Sequence, residues 1–181
     1  MDSVRIAGCR GGGGQEQSPI DILSTEKAPL PAPRFDSKSG PLKYLVNNGH
    51  TIRVNYHDAP GTGSQLIVGE KRYQLTQFHF HRPSEEHVHG KSFDMVAHLM
   101  YQSADGTVVG VVINPGGLLP HNLAYYTYMG SVTAPPCTEG VRWYVLKTPV
   151  KVRLAPSGTH YQRLLTVNAI SRPTGDALAG S

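Results

Sequence analysis

The chain lacks any apolar stretch that approaches the roughly 20 residues of a membrane-spanning helix. Its first 17 residues contain no apolar core of the kind that a signal peptide needs. Lysine and arginine are scattered and never form a run longer than two, so the net charge of +4 indicates a solvated surface. We therefore expect neither a membrane nor a nucleic acid among the partners of this protein.

Cysteine is scarce as well, since the chain has only Cys9 and Cys137. Two cysteines allow one disulfide or two free thiols, and composition leaves both open. The sequence also lacks internal repeats and long amphipathic helical patterns. It is rich in glycine (20) and proline (14), and its 181 residues predict a single loop-rich domain over residues 1–181, with residues 1–16 as a loose N-terminal segment.

Short runs of alternating apolar and β-branched residues predict a mainly β fold. An Asn-Gly turn at 48–49 separates two of these runs, and the β-branched run 107–113 is typical of a strand buried on both faces. A short helix is expected at 158–167. The predicted strands are 43–46, 51–56, 65–68, 74–80, 93–101, 107–113 and 142–146, and 124–130 is rich in aromatic residues.

Histidines mark the candidate site. His79 and His81 are two apart on one predicted strand, so they share a face while Phe78 and Phe80 point into a core. If the following strand pairs antiparallel, its His98 faces the same pocket. Three neutral imidazoles suit a zinc ion (Zn²⁺) that keeps one position open for water. A bare His-x-His pair also occurs on strands without any metal, so the third histidine is what favours zinc.

A second His-x-His pair, His87 and His89, lies in a charged loop and is expected to be solvated.

Several blocks of sequence, in the same order, resemble those of the alpha-class carbonic anhydrases, and most closely the bacterial branch. The blocks are QSPIDI, NNGH, QFHFHRPSEEH, AHLMY and YYTYMGSVTAPPCTEGVRWYVLK, within residues 9 to 150. The resemblance implies a mainly β fold with a central twisted, mostly antiparallel sheet and a few short helices. It also implies reversible hydration of carbon dioxide to bicarbonate and a proton, through attack of a zinc-bound hydroxide and proton release by a histidine.

The resemblance assigns roles residue by residue. His79, His81 and His98 match the zinc ligands, and Gln77 matches the residue that holds the first of them. Thr133 matches the threonine beside the hydroxide, and His50 matches the proton shuttle. Glu85 lies thirteen positions before His98 and matches the carboxylate partner of the threonine, whereas the adjacent Glu86 ranks below it. Met100, Val132 and Trp143 match the apolar wall for carbon dioxide, with Thr133 and Ala134 at the same pocket.

The chemistry explains these residue types. A threonine that donates its proton to Glu85 must accept a hydrogen bond from the hydroxide, which aims the lone pair of the hydroxide at the substrate. An imidazole such as His50, with an ordinary pKa near 6.5, can pass a proton to buffer. Without the resemblance, Thr133 reads as a turn hydroxyl, Glu85 as a solvated loop charge and His50 as a surface imidazole.

Cys9 and Cys137 match the pair that forms a disulfide in secreted bacterial members. The resemblance therefore implies a periplasmic or secreted protein, although the chain shows no export signal.

The chain also departs from the family pattern. Val96 stands where a glutamate usually holds the third zinc histidine, so weaker zinc binding or altered ligand geometry is expected. Ala134 replaces a common hydroxyl residue and should widen the pocket. The segment between Ile113 and Leu118 is short, and an N-terminal aromatic segment is missing. We expect lower stability, or apolar surface that a homodimer would cover.

Two alternatives to a carbonic anhydrase stay open. One is a catalytically impaired zinc-binding domain of the same family, in which the missing segments and Val96 spoil the site. The other is a zinc esterase, because an activated water also attacks esters. No G-x-S-x-G motif of a serine hydrolase is present.

Overall fold

The structure of the protein is a computed structural model, and it describes residues 14–38, 44–47, 51–112, 119–151, 166–167 and 177–180. These residues form fifteen β-strands and no helix. The strands are β1 (Asp21–Ile22), β2 (Thr25–Lys27), β3 (Pro33–Asp36), β4 (Tyr44–Asn47), β5 (Ile52–Asn55), β6 (Gln65–Val68), β7 (Lys71–His81), β8 (His87–Val88), β9 (Val96–Gln102), β10 (Val108–Val112), β11 (Tyr125–Ser131), β12 (Glu139–Leu146), β13 (Val150–Lys151), β14 (Thr166–Val167) and β15 (Ala177–Gly180).

Eleven strands form one sheet in the order β2-β15-β11-β12-β10-β9-β7-β5-β4, with β6 beside β7 and β3 beside β6. Most neighbours are antiparallel, and the exceptions are the parallel pairs β10–β12 and β15–β2. Two small sheets, β1–β8 and β13–β14, complete the described fold. The predicted mainly β fold with a mostly antiparallel central sheet is therefore confirmed.

The expected helix at 158–167 is wrong at its end, because Thr166–Val167 pairs as a strand with Val150–Lys151. The rest of that segment lies outside the described residues. Within the described part of the chain, the structure contains no helix with the length and hydropathy that a membrane crossing requires.

Strand β7 lies at the centre of the sheet and carries a bulge. Leu75 pairs with Tyr101 and Gln77 pairs with Met100, so Thr76 is an extra residue without a partner on β9. The bulge exchanges the two faces of β7. Beyond it Phe78 is buried in the core, and the residues at 77, 79 and 81 turn to the opposite face.

The middle of the sheet is covered on both faces. On β9 every residue from Val96 to Tyr101 is buried, and on β10 both Val109 and Val111 are fully buried. Gly110 lies opposite Met100 on one side and Trp143 on the other. A Cβ on Gly110 would lie 2.4 Å from the Trp143 ring, so only glycine lets that ring lie across β10.

Candidate metal centre

Three histidines meet on one face of the β7–β9 pair. His79 pairs directly with His98 in the antiparallel register, and His81 follows two residues along β7. The ring centroids are 4.9 Å apart for His79 and His81, 5.2 Å for His79 and His98, and 4.8 Å for His81 and His98. One nitrogen from each ring lies within 4.8 Å of the other two. The antiparallel pairing expected from the sequence thus brings all three imidazoles together.

The nitrogens that face one another have no hydrogen-bond partner. His81 Nε2 and His98 Nδ1 are both buried and unpaired among the described residues. Buried polar atoms are nearly always paired, so convergent unpaired lone pairs need an explanation. A divalent transition metal bound by neutral imidazoles supplies one, and the residues present fit such an ion.

Gln77 sets the orientation of the first histidine. Its Oε1 lies 2.8 Å from His79 Nδ1, and Gln77 and His79 share a face of β7 beyond the bulge. When Nδ1–H donates to this oxygen, the lone pair of Nε2 is left for a metal. The structure therefore places Gln77 beside His79, as predicted from the sequence.

Glu85 lies between the other two histidines and Thr133. Its Oε1 is 3.2 Å from His81 Nδ1, and its Oε2 is 3.9 Å from His98 Nδ1. Burial and, to a smaller extent, the neighbouring charge of Glu86 raise the pKa of Glu85 to about 8, and a hydrogen bond from Thr133 acts in the opposite direction. Thr133 itself is 9% exposed. The pair of Thr133 and Glu85 expected from the sequence is thus in contact beside the histidines.

Glu86 occupies a place that the sequence did not predict. It is fully buried, and its Oε2 lies 3.1 Å from Nε2 of His98. Although residue 96 is valine, the ring of His98 therefore has a carboxyl partner, supplied by Glu86. The only signal in the sequence was a second acidic residue next to Glu85, and an adjacent pair does not reveal which histidine either one contacts.

The electrostatics keep the imidazoles neutral. Burial, together with the charges of His98, His81 and Arg53, lowers the pKa of His79 to about 2. Burial likewise lowers the pKa of His81 to about 3, with a further contribution from His98, and that of His98 to about 3. Neutral imidazole is the form that binds a metal, so the site is ready for one at any ordinary pH.

The shifted pKa values of the histidines and of the two glutamates affect the free energy of unfolding in opposite directions. The metal-free protein should therefore be most stable at about pH 6. As the pH falls below 6.5, the unfolded chain protonates the three histidines while the folded state keeps them neutral, so acid favours unfolding. Burial also raises the pKa of Glu86 to about 8. The folded state therefore keeps protons on Glu85 and Glu86 that the unfolded chain loses near pH 4.5, and stability falls as the pH rises towards 8.

Melting temperatures of chelator-treated protein between pH 4 and 9 measure this maximum. The acid limb has a slope of up to about 1.4 kcal/mol per pH unit for each histidine, offset by the two carboxyl groups. A melting temperature that rises steadily from pH 6 to pH 8 would contradict the expected profile.

Apolar side chains border the histidines. The Trp143 ring is 1% exposed and its centroid is 4.8 Å from that of His98, which the missing side chain of Gly110 makes sterically feasible. Its indole Nε1–H donates to the Ser131 carbonyl at 3.0 Å. Met100 is buried and lies on the same face of β9 as His98. Among the other residues expected in the pocket, Val132 is partly buried and Ala134 is exposed.

Other expected residues fall elsewhere. His50, Cys9 and the short segment at 113–118 lie outside the described residues, and Cys137 is buried. His87 is not fully solvated as expected, because it lies in β8, is partly buried and has a buried Nδ1. His87 and His89 belong to no metal-binding cluster in the described part of the chain.

Comparison with known proteins gives one consistent family. The family model described as eukaryotic-type carbonic anhydrase matches residues 6–109 and 102–166. A carbonic anhydrase of Neisseria gonorrhoeae is 37% identical over 166 residues, which cover 75% of this chain and 64% of that protein. Dioscorin dioA3 of Dioscorea japonica is 33% identical, covering 75% of this chain and 62% of that protein. The chain thus spans somewhat less than two thirds of the length of these relatives.

A solved structure agrees with this result. The alpha-carbonic anhydrase of Photobacterium profundum superposes with a TM-score of 0.72 at 30% sequence identity, covering 94% of this chain and 91% of that one.

Proposed function

Because this chain belongs to the carbonic anhydrase family, we propose that it catalyses the reversible hydration of carbon dioxide to bicarbonate and a proton. The observation that carries the proposal is a cluster of three neutral imidazoles, of which His98 is buried and His79 and His81 are partly buried. Their ligand nitrogens lie within 4.8 Å of one another, beside a hydrogen-bonded threonine and glutamate.

The cofactor in this proposal is Zn²⁺. His79 Nε2, His81 Nε2 and His98 Nδ1 would hold it, since the opposite nitrogen of each ring is beside a side-chain oxygen. In carbonic anhydrases zinc lowers the pKa of water to about 7, which supplies a nucleophile at neutral pH.

Thr133 orients the nucleophile. A hydroxyl has one proton to donate, and a Thr133 that gives it to Glu85 can only accept a hydrogen bond from the group on its other side. That constraint fixes the direction of the attacking lone pair, and orientation of this kind can lower a barrier by several kcal/mol, on the order of a thousandfold in rate.

The apolar wall receives the substrate. Carbon dioxide carries no charge and makes only weak hydrogen bonds, so a surface of Met100, Val132 and Trp143 suits it better than water does. Ala134 leaves more room at the same place than a hydroxyl side chain would. The proposed partners are thus the small molecules carbon dioxide and bicarbonate.

Proton release is assigned to His50. Replacing it by alanine should lower turnover about tenfold or more in weak buffer, because general acid–base groups contribute at least this much. Added imidazole should restore the rate. Stopped-flow hydration at several buffer concentrations measures both effects, with His121→Ala as the matched control, since His121 is an exposed imidazole. A loss that imidazole cannot restore would assign His50 another role.

The decisive experiment combines two measurements on one preparation. Zinc is counted per chain by atomic emission, and carbon dioxide hydration is followed by stopped flow with a pH indicator. One zinc per chain with hydration well above the buffer rate supports the proposal. One zinc per chain with no hydration supports the alternative of a catalytically impaired zinc-binding domain of the same family. A chain that binds no zinc contradicts both.

The compartment and the assembly belong to the same proposal. A Cys9–Cys137 disulfide would place the protein in an oxidising space, the periplasm or the exterior. A thiol count under denaturing, non-reducing conditions should then give no free thiol, whereas two free thiols would remove the argument for that compartment. A homodimer, which would cover exposed apolar surface, is the proposed assembly, and light scattering measures it.

A further inference from the structure

The outer nitrogen of His98 needs a hydrogen-bond acceptor that its own strand does not provide. Val96 is the residue two before His98 on the same face of β9, and it is fully buried. Valine has no hydrogen-bonding group, so β9 itself supplies no acceptor for the outer nitrogen of His98. An unsupported imidazole rotates about its side-chain bonds and exchanges its two tautomers, and either change weakens a metal ligand.

Glu86 supplies the missing acceptor from a different part of the chain. Both of its carboxylate oxygens lie close to Nε2 of His98, Oε2 at 3.1 Å and Oε1 at 3.0 Å. Both side chains are fully buried. A contact from which water is excluded is worth more than the same contact at the surface, and a bent or broken one costs more.

The backbone on either side of Glu86 is held in place. Ser84 accepts a hydrogen bond from the Phe93 amide at 2.8 Å and donates one to the Glu86 carbonyl at 3.0 Å. Immediately after Glu86, the amide of His87 donates to the Ile20 carbonyl at 3.2 Å, where β8 pairs with β1. The carboxylate therefore approaches His98 from a rigid turn and not from a mobile loop.

We propose that Glu86 is the positioning residue for His98, which accepts a hydrogen bond from Nε2–H of that ring and so leaves the Nδ1 lone pair for the metal. Glu86 thus supplies the hydrogen-bond acceptor that Val96 lacks. The proposal rests on the zinc site of the proposed function. It divides the two adjacent carboxylates between two tasks, with Glu85 beside Thr133 and His81, and Glu86 behind His98.

The test uses three variants and a control. Glu86→Ala removes the acceptor, Glu86→Gln keeps its shape but replaces one carboxyl oxygen by an amide group, and Glu86→Gln with Val96→Glu returns a carboxyl group to the same face of β9. Glu70→Gln is the control, because Glu70 is an exposed carboxylate in a turn. The zinc dissociation constant of each is measured by competition with a chromophoric chelator at pH 7.5.

We expect the dissociation constant to rise about 10- to 100-fold in Glu86→Ala, as is usual when the partner of a metal-binding histidine is lost. Glu86→Gln should show a smaller rise, Val96→Glu should recover part of the loss, and Glu70→Gln should match the parent protein. Unchanged affinity in both Glu86→Ala and Glu86→Gln would overturn the proposal.

A second readout needs no metal and separates this inference from the proposed function. Long-range ¹H–¹⁵N spectra of the metal-free parent protein should show His98 with its proton on Nε2 and His79 with its proton on Nδ1. In Glu86→Ala the signal of His98 should move towards a mixture of tautomers, while His79 keeps its own. If the parent chain binds no zinc, the proposed function fails, and the tautomer of His98 still decides whether Glu86 positions the ring. A His98 tautomer unaffected by Glu86→Ala would refute it.

Discussion

Replacing His98 by alanine should abolish both zinc binding and carbon dioxide hydration. Two imidazoles on β7 cannot hold zinc with comparable affinity, because removing a ligand leaves two positions open to water. The change also removes the buried ring that packs 4.8 Å from Trp143 and leaves the fully buried Glu86 without its partner. We therefore expect less than a tenth of a zinc ion per chain after dialysis and no hydration above the buffer rate.

Zinc content by atomic emission and stopped-flow hydration check this result. Because an alanine at a fully buried position can cost about 2–5 kcal/mol of stability, circular dichroism must show that the variant is folded. His98→Gln fills more of the volume and serves as a second variant if His98→Ala is unfolded, and His121→Ala is the surface control. A folded variant that retains one zinc per chain and hydrates carbon dioxide would contradict the role of His98.

Replacing Thr133 by valine should lower kcat/KM about 100-fold while zinc binding stays unchanged. Valine has nearly the same shape as threonine but neither donates nor accepts a hydrogen bond, so the nucleophile loses the group that orients it. A single oriented hydrogen bond in an active site is commonly worth about 10²–10³ in rate. Thr133 does not belong to the cluster of three histidines that could hold the metal, so the metal content should equal that of the parent protein.

Thr127, six residues before Thr133 in the sequence, is a matched control for this variant. Thr127 is a buried threonine on β11 whose hydroxyl has no hydrogen-bond partner among the described residues. Thr127→Val should leave both kcat/KM and zinc content unchanged. Equal losses in the two variants would assign the effect of Thr133→Val to packing, and an unchanged rate in Thr133→Val would remove the orienting role.

Much of the sheet could be predicted because its signals are local. The Asn-Gly turn and the short alternating runs predict β4, β5 and β6 within one or two residues of where they lie. The buried run at 107–113 becomes β10, whose valines at 109 and 111 are fully buried. The spacing of the histidines also survives, since side chains two apart on a strand share a face in any sheet.

The bulge in β7 could not be predicted in this way. Strict alternation from the buried Tyr73 and Leu75 would carry His79 into the core, and the extra residue Thr76 reverses that outcome. Thr76 is held from both sides, because its hydroxyl donates to the Met100 carbonyl and its own carbonyl accepts from the Tyr56 amide. Met100 lies on β9 and Tyr56 directly follows β5, so the residues next to Thr76 in the sequence do not reveal the bulge.

Periodicity alone determined that this chain is a β protein, that His79 and His81 share a face, and that an antiparallel neighbour could bring His98 to them. Only the folded chain decided which carboxylate serves which histidine. The turn that carries Glu85 and Glu86 is anchored by residues 20–22, and its Gly90 amide bonds to Asp21, 69 positions away. The direction of a side chain in a turn depends on such distant anchors, whereas the direction of a side chain in a strand follows from its neighbours.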